Sequence, residues 1–186
     1  LNYSQPPATT RHEQVTFDSE LKQAATVYSK SKEYINAVFA DARLGRSIDP
    51  SEARDHANRV VESVVKNENA LVWLTQLKNR DEYTVQHSIN VCVLAVLFGR
   101  HLGLGQHDLR ELGFGALLHD IGKMRIPQHI LNKVDKLTDD EMALMKQHPE
   151  FGYQILKNSP DVGDSAIDIA HSHHERIDVS GYPRKL

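Results

Sequence analysis

The stretch DEYTVQHSINVCVLAVLFGRHLG, residues 81–103, constrains the fold more than any other. Its apolar residues do not alternate, and they cover most faces of a helix, so other helices must wrap it. Gly103 ends it. The rest of the chain supplies the wrapping. Between Asp18 and Leu44, the residues Leu21, Ala25, Tyr28, Ile35, Val38, Phe39 and Ala42 approximate a helical stripe, and Gly45 fits a C-terminal stop. In DPSE at 49–52, Asp49 is the N-cap, Pro50 suits the first helical position and Glu52 can reach back. That helix runs to about Val65 or Lys66. ALVWLTQLKN (70–79) predicts a short helix with Trp73 in the core. HDLRELGFGALLHD (107–120) predicts another, broken at Asp120-Ile121-Gly122, and Ile126-Pro127 opens a linking segment. Thr138 and Glu141 form a capping box. Pro149 starts a helix through Leu156, and Pro160 separates it from a last helix ending near His174. No period-two strand pattern and no internal repeat occurs. The fold class is all-α, a helical bundle.

Composition narrows the function. A net charge of −3 with a pI near 6.4 gives no basic face for a nucleic-acid polymer or a membrane surface. The longest apolar run, Val91 to Phe98, is too short to span a bilayer. The single cysteine, Cys92, lies inside that run and reads as a buried free thiol in a reducing compartment, hence a cytoplasmic protein. Residues 1–17 read as a disordered linker, with Pro6-Pro7 and Thr9-Thr10 and little hydrophobicity. The histidines are the anomaly. There are 11, and most fall between residues 87 and 174. Histidine clustered with aspartate is the composition of a metal site.

The candidates sit at helix ends and on the central helix. In ALLHDIGKMRIP, an apolar run delivers His119 and Asp120, and Lys123 follows after one glycine. Ionisable groups so placed are costly unless paired or bound to metal. His87 lies on the central helix, His148 precedes Pro149, and His173-His174-Glu175 ends the last helix. His101, His107 and His129 read as surface residues, and His171 as outside the ligand set or solvated. Adjacent His173 and His174 would point about 100° apart on one helix, which suits two neighbouring metals better than one. Asp120, with two carboxylate oxygens, suits a bridge. Nitrogen and carboxylate donors without thiolate fit iron, manganese or zinc. Two metals about 3.5–4 Å apart can hold a hydroxide and neutralise phosphoryl oxygens, and Lys123 would then clamp phosphate.

HDIGK at 119–123 resembles the signature of HD-domain metal-dependent phosphohydrolases. HHERIDVSGYP at 173–183 is similar to that of the HD-GYP subfamily, bacterial phosphodiesterases acting on cyclic di-GMP. His87 before the pair, and His148 within KQHPEFGYQIL after it, fall at the family's spacings. The resemblance covers residues 81–186. Residues 18–80 resemble the helical lead-in of members carrying a further N-terminal domain.

The resemblance implies an HD-domain helical bundle. It implies His87, His119, Asp120, His148, His173 and His174 as ligands of two divalent metals, iron or manganese, with Asp120 bridging. Asp120 and Lys123 would serve catalysis. Lys123 would contact phosphate, and Arg176, Gly181, Tyr182 and Pro183 would line the substrate side. The reaction would be hydrolysis of the 3′–5′ phosphodiester of cyclic di-GMP, through a metal-bridging hydroxide, to pGpG or GMP. GGDEF-domain proteins are implied partners at the Gly-Tyr-Pro loop.

The chain departs from the family pattern at three places. Val179 stands where the family has glycine, and valine resists the positive φ that glycine permits. Tyr83 stands where some members place a third-metal glutamate, and Glu82 is about 100° round the helix, which implies two metals. The sequence stops at Leu186, short of further helices and of an aspartate that completes the family's metal site, which implies a truncated domain.

Two other readings compete with the enzyme. One is a signalling module that binds metal, nucleotide or a partner without turnover. The other is an HD phosphohydrolase of nucleotides such as dNTPs or ppGpp, against which the Gly-Tyr-Pro loop argues. The 18–44 helix could pair in a homodimer, or its stripe could face the domain itself.

Overall fold

The protein is described by a computed structural model covering residues 17–76 and 83–186. The readings of the first 16 residues and of positions 77–82 lie outside the described residues, as does the side chain of Tyr83. The elements are α1 (Phe17–Arg43), α2 (Pro50–Lys66), α3 (Glu68–Thr75), α4 (Tyr83–His101), α5 (Gln106–Leu118), a 3-10 turn (Ile121–Arg125), α6 (Gln128–Leu131), α7 (Asp139–Met145), α8 (His148–Lys157) and α9 (Asp164–Ser172). No strand occurs among the described residues.

Local chemistry sets several of these boundaries. The Asp49 carboxylate accepts hydrogen bonds from Ser51 N at 2.9 Å and Ser51 Oγ at 2.6 Å, with Pro50 opening α2. This satisfies one of the donors that a helix start leaves unpaired. The Thr138–Glu141 capping box is complete: Glu141 N donates to Thr138 Oγ1, and Thr138 N to the Glu141 carboxylate. Gly45 and Gly103 take φ of +74° and +81° just beyond α1 and α4, the left-handed stop that side chains resist. Asn67 closes α2 and caps α3 through its side chain, a double role the sequence reading missed.

The core lies between α4 and the helices around it. Ile89, Cys92, Val93 and Val96 of α4 pack with Phe114, Leu117 and Leu118 of α5, Val60, Val61 and Val64 of α2, and Ile35, Val38 and Phe39 of α1. Burial pushes the Cys92 thiol up to about 12, so it is inert. The α1 stripe faces the domain's own core, displaced by one position: Ala24 is buried and Ala25 exposed. His56 is a core histidine, bonded to Ser31 Oγ at 3.1 Å and stacked on Tyr34.

Two expectations are corrected. Trp73 is 47% exposed, and the buried face of α3 is Ala70, Leu71 and Leu74. A short helix offers one face to the core, and Trp73 lies off it. Helix α4 is not enclosed all round either, because Leu94 and Phe98 are exposed. No helix among the described residues is long and apolar enough to cross a membrane.

A second layer positions the site. The 3-10 turn packs on α8, α8 on α9 and α9 on α5, and Ile121, Leu156, Ala166 and Ala170 are buried in this layer. The approach is tight at Gly122, where an added Cβ would overlap the His148 carbonyl and the Gly152 amide of α8. Gly122 has no positive φ, so its role is this close packing.

Candidate metal centre

Three helix ends, the start of the 3-10 turn and the central helix converge on one point. His87 projects from the first half of α4. His119 caps the C-terminus of α5, with Asp120 next in the chain. His148 is the first residue of α8. His173 caps the C-terminus of α9, and His174 follows it. Asp120 and His148 are almost fully buried, at 1% exposure each.

Asp120 divides the cluster. Its Oδ2 lies 3.3 Å from His119 Nε2, 3.6 Å from His87 Nε2 and 2.7 Å from Lys123 Nζ. Its Oδ1 lies 3.3 Å from His148 Nε2 and 3.6 Å from His173 Nε2. Two groups result, each with donor atoms within 4.8 Å of one another: His87, His119 and Asp120, and His148, His173 and His174. The helical repeat had predicted His173 and His174 pointing apart. Instead α9 ends at Ser172, His173 turns to ψ −10°, and the two rings sit 4.4 Å apart, aimed into one group.

Second contacts fix the tautomers. The Nδ1 atoms of His119, His148 and His173 face the carbonyls of Ala116, Met145 and Ala170 at 2.7, 2.8 and 3.0 Å. A carbonyl only accepts, so each Nδ1 carries the proton, and a neutral ring presents a lone pair at Nε2. This is the orientation of metal-ligating histidine. It leaves His148 Nε2 and His173 Nε2 facing each other at 3.0 Å, both as acceptors. It also explains why the buried Asp120 Oδ1 accepts no hydrogen bond although imidazole nitrogens surround it. Acceptors converging on a buried orphan oxygen are what a cation needs. The nitrogen and oxygen donor set fits a divalent transition metal.

The charges agree. Burial opposes charge on the Asp120 carboxyl, and the Lys123 ammonium 2.7 Å from Oδ2 offsets that cost. Burial lowers the pKa of His87 and His173, and that of His174 to about 4. Lowering favours the neutral ring, the form that can ligate a cation.

The Gly-Tyr-Pro loop closes one side. The Tyr182 ring stacks on His174 at 4.5 Å and 15°, and its amide donates to the His174 carbonyl at 3.2 Å. An added Cβ at Gly181 would lie 2.5 Å from Arg176 N, so a side chain there would push the loop away. Pro183 follows a cis peptide bond. Val179 takes a φ of +54°, so the loop keeps the left-handed conformation despite its β-branched residue. Arg176 is exposed on the same loop, apart from the cluster.

Three features escaped the sequence reading. Glu175 accepts from the backbone amides of Arg184, Lys185 and Leu186 at 2.6, 3.1 and 3.1 Å, latching the loop. Glu150 bonds His171 Nε2 at 3.0 Å, tying α8 to α9 beside the ligand histidines. Lys146 lies over the Tyr182 ring. Position next to His174 and His148 was the available signal for all three, but their partners are distant in sequence. His101, His107 and His129 are exposed and take no part.

Residues 61–186 match the family model described as HD domain. The chain is 42% identical, over 95% of its length, to a cyclic di-GMP phosphodiesterase of Pseudomonas aeruginosa, of which it covers 43%. It is 46% identical, over 50% of its length, to the cyclic di-GMP phosphodiesterase response regulator RpfG of Xanthomonas campestris, of which it covers 25%. It thus spans less than half the length of these relatives. Its fold matches Bd1817, a HDG"Y"P protein from Bdellovibrio bacteriovorus, with a TM-score of 0.75 at 23% identity, covering 97% of this chain and 56% of that one. With the buried histidine–aspartate pair at its centre, the chain belongs to the HD-domain family.

Proposed function

We propose that this protein hydrolyses the 3′–5′ phosphodiester of cyclic di-GMP to linear pGpG, using two metals. The division of Asp120 between two histidine groups is the observation that supports this reading most directly. Asp120 would bridge, His87 and His119 would hold one metal, and His148, His173 and His174 the other. Two divalent cations, iron or manganese, would supply an activated water and neutralise the phosphoryl oxygens.

The protein's own residues do the rest. The carbonyls behind His119, His148 and His173 orient the rings before any cation arrives. Lys123 holds Asp120 Oδ2 at 2.7 Å, and its ammonium, beside the cluster, would contact a phosphate oxygen. The Gly181-Tyr182-Pro183 loop would wall the substrate side, and Arg176, exposed on the same loop, would meet substrate from its outer part. Exposed Ile177 and Val179 on that loop offer apolar surface on which a GGDEF-domain protein would dock. The positive φ of Val179 weakens the reading of an impaired module, because the glycine-like backbone is retained.

The test combines metal analysis with turnover of cyclic di-GMP and cyclic GMP-AMP, with iron or manganese supplied. Two metals per chain and pGpG production are expected, and His119→Ala should lose both. Turnover that survives His119→Ala would place the chemistry elsewhere. Metal without turnover of either nucleotide would leave a binding module.

A further inference from the structure

A column of three groups leads from the histidine cluster to the surface. The His174 imidazole stacks on one side of Tyr182 at 4.5 Å. The Lys146 ammonium lies over the same ring, 5.6 Å from its centroid. The negative π-face of a phenol attracts an ammonium placed this way. The backbone beneath is fixed at both ends: Lys146 N donates to the Met142 carbonyl at 2.9 Å, and the neighbouring Met145 carbonyl accepts from His148 Nδ1. Lys146 therefore sits two residues from a cluster histidine, with its charge held at the rim by an aromatic ring.

Three other cations are already paired with carboxylates. Lys123 is paired with Asp120, Lys133 with Glu141 and Arg184 with Asp168. Among the described residues, no carboxylate pairs with Lys146. Its side chain is exposed and free to meet an anion.

A cyclic dinucleotide carries two phosphodiesters. Only one can occupy the reacting centre, and the other keeps its negative charge outside it. We propose that Lys146 is the counter-charge for that second phosphodiester, and so a specificity-determining residue that selects a two-phosphate substrate over a simple diester. This rests on the phosphodiesterase reading above. The Tyr182 ring touches both groups, stacked on His174 and within cation–π distance of the ammonium.

The experiment compares Lys146→Met, Lys146→Arg and the unchanged protein, all loaded with manganese, on two substrates. One is cyclic di-GMP, and the other is bis(p-nitrophenyl) phosphate, which has a single diester. Lys146→Met should lose about tenfold in kcat/KM on cyclic di-GMP, carried by KM, as expected for removing one charge-assisted contact. Its activity on the simple diester should stay within about twofold, and Lys146→Arg should behave nearly as the unchanged protein. Equal losses on both substrates would overturn the proposal, because Lys146 would then act through the packing of His148. No loss on either would overturn it as well. If the unchanged protein turns over neither substrate, the phosphodiesterase reading fails separately. Affinity for a non-hydrolysable phosphorothioate analogue of cyclic di-GMP then decides on Lys146: about tenfold weaker binding to Lys146→Met supports the counter-charge, and unchanged binding overturns it.

Discussion

Gly122 and Gly152 face each other across the contact between the 3-10 turn and α8, yet alanine at the two positions should have opposite effects. At Gly122 an added methyl overlaps the His148 carbonyl oxygen and the Gly152 amide, and lies 2.9 Å from the His148 carbonyl carbon. All three are backbone atoms, which cannot rotate away as a side chain can. Overpacking of this kind costs about 1–3 kcal/mol, and a purely backbone clash belongs at the upper end. At Gly152 the methyl would meet Gly122 N at 3.5 Å and the Ala170 Cβ at 3.7 Å, ordinary contact distances. Gly152 lies inside α8, where replacing glycine by alanine gains ~1 kcal/mol of helix propensity. For a chain of this size, 1 kcal/mol moves Tm by roughly 2–4 °C. Gly122→Ala should therefore lower Tm by roughly 6–12 °C, and Gly152→Ala should raise it by roughly 2–4 °C. Scanning calorimetry of the metal-free protein measures both. Relief of the clash would move the turn off α8 and separate Asp120 from His148, so manganese uptake should fall in Gly122→Ala alone. A Gly122→Ala protein within 1 kcal/mol of the parent, or a Gly152→Ala protein equally damaged, would refute the close-packing account of this site.

Val179→Gly should be mildly stabilising. A non-glycine residue in the left-handed region costs ~1–2 kcal/mol, and glycine gives back ~0.4–1 kcal/mol through unfolded-chain entropy. A lower Tm in the glycine variant would show that Val179 is not strained. In the metal-free protein, stability should fall with acid between pH 6.5 and 4. The pKa of His174 is depressed to about 4, so above pH 6.5 folded and unfolded chains are both neutral there, and below it the unfolded chain binds the proton first. Urea titrations at pH 7.5 and 4.5 measure this, and an unchanged slope in His174→Gln would remove His174 as its source. Glu175→Ala should free the Gly-Tyr-Pro loop, so hydrogen exchange at the amides of Arg184, Lys185 and Leu186 should accelerate by about tenfold or more. Unchanged exchange there would mean that the loop is held by Tyr182 stacking alone.

The helices and their ends could be read from the sequence by itself, because the chemistry that sets them is local. Asp49, Thr138 with Glu141, Gly45 and Gly103 act on backbone groups a few residues away. The histidine–aspartate set was also legible, since its residue types have few other uses at apolar helix ends. Only the tertiary structure decided how those residues face one another. The helical repeat sent His173 and His174 apart, and the end of α9 brought them together. The apolar pattern put Trp73 inside, and the one face of α3 that meets the core left it outside. The role of Gly122 is set by the α8 backbone far along the chain, and Lys123 by the carboxylate it faces. The division of Asp120 between two histidine groups depends on five elements meeting at one point, and sequence spacing holds no record of such distances.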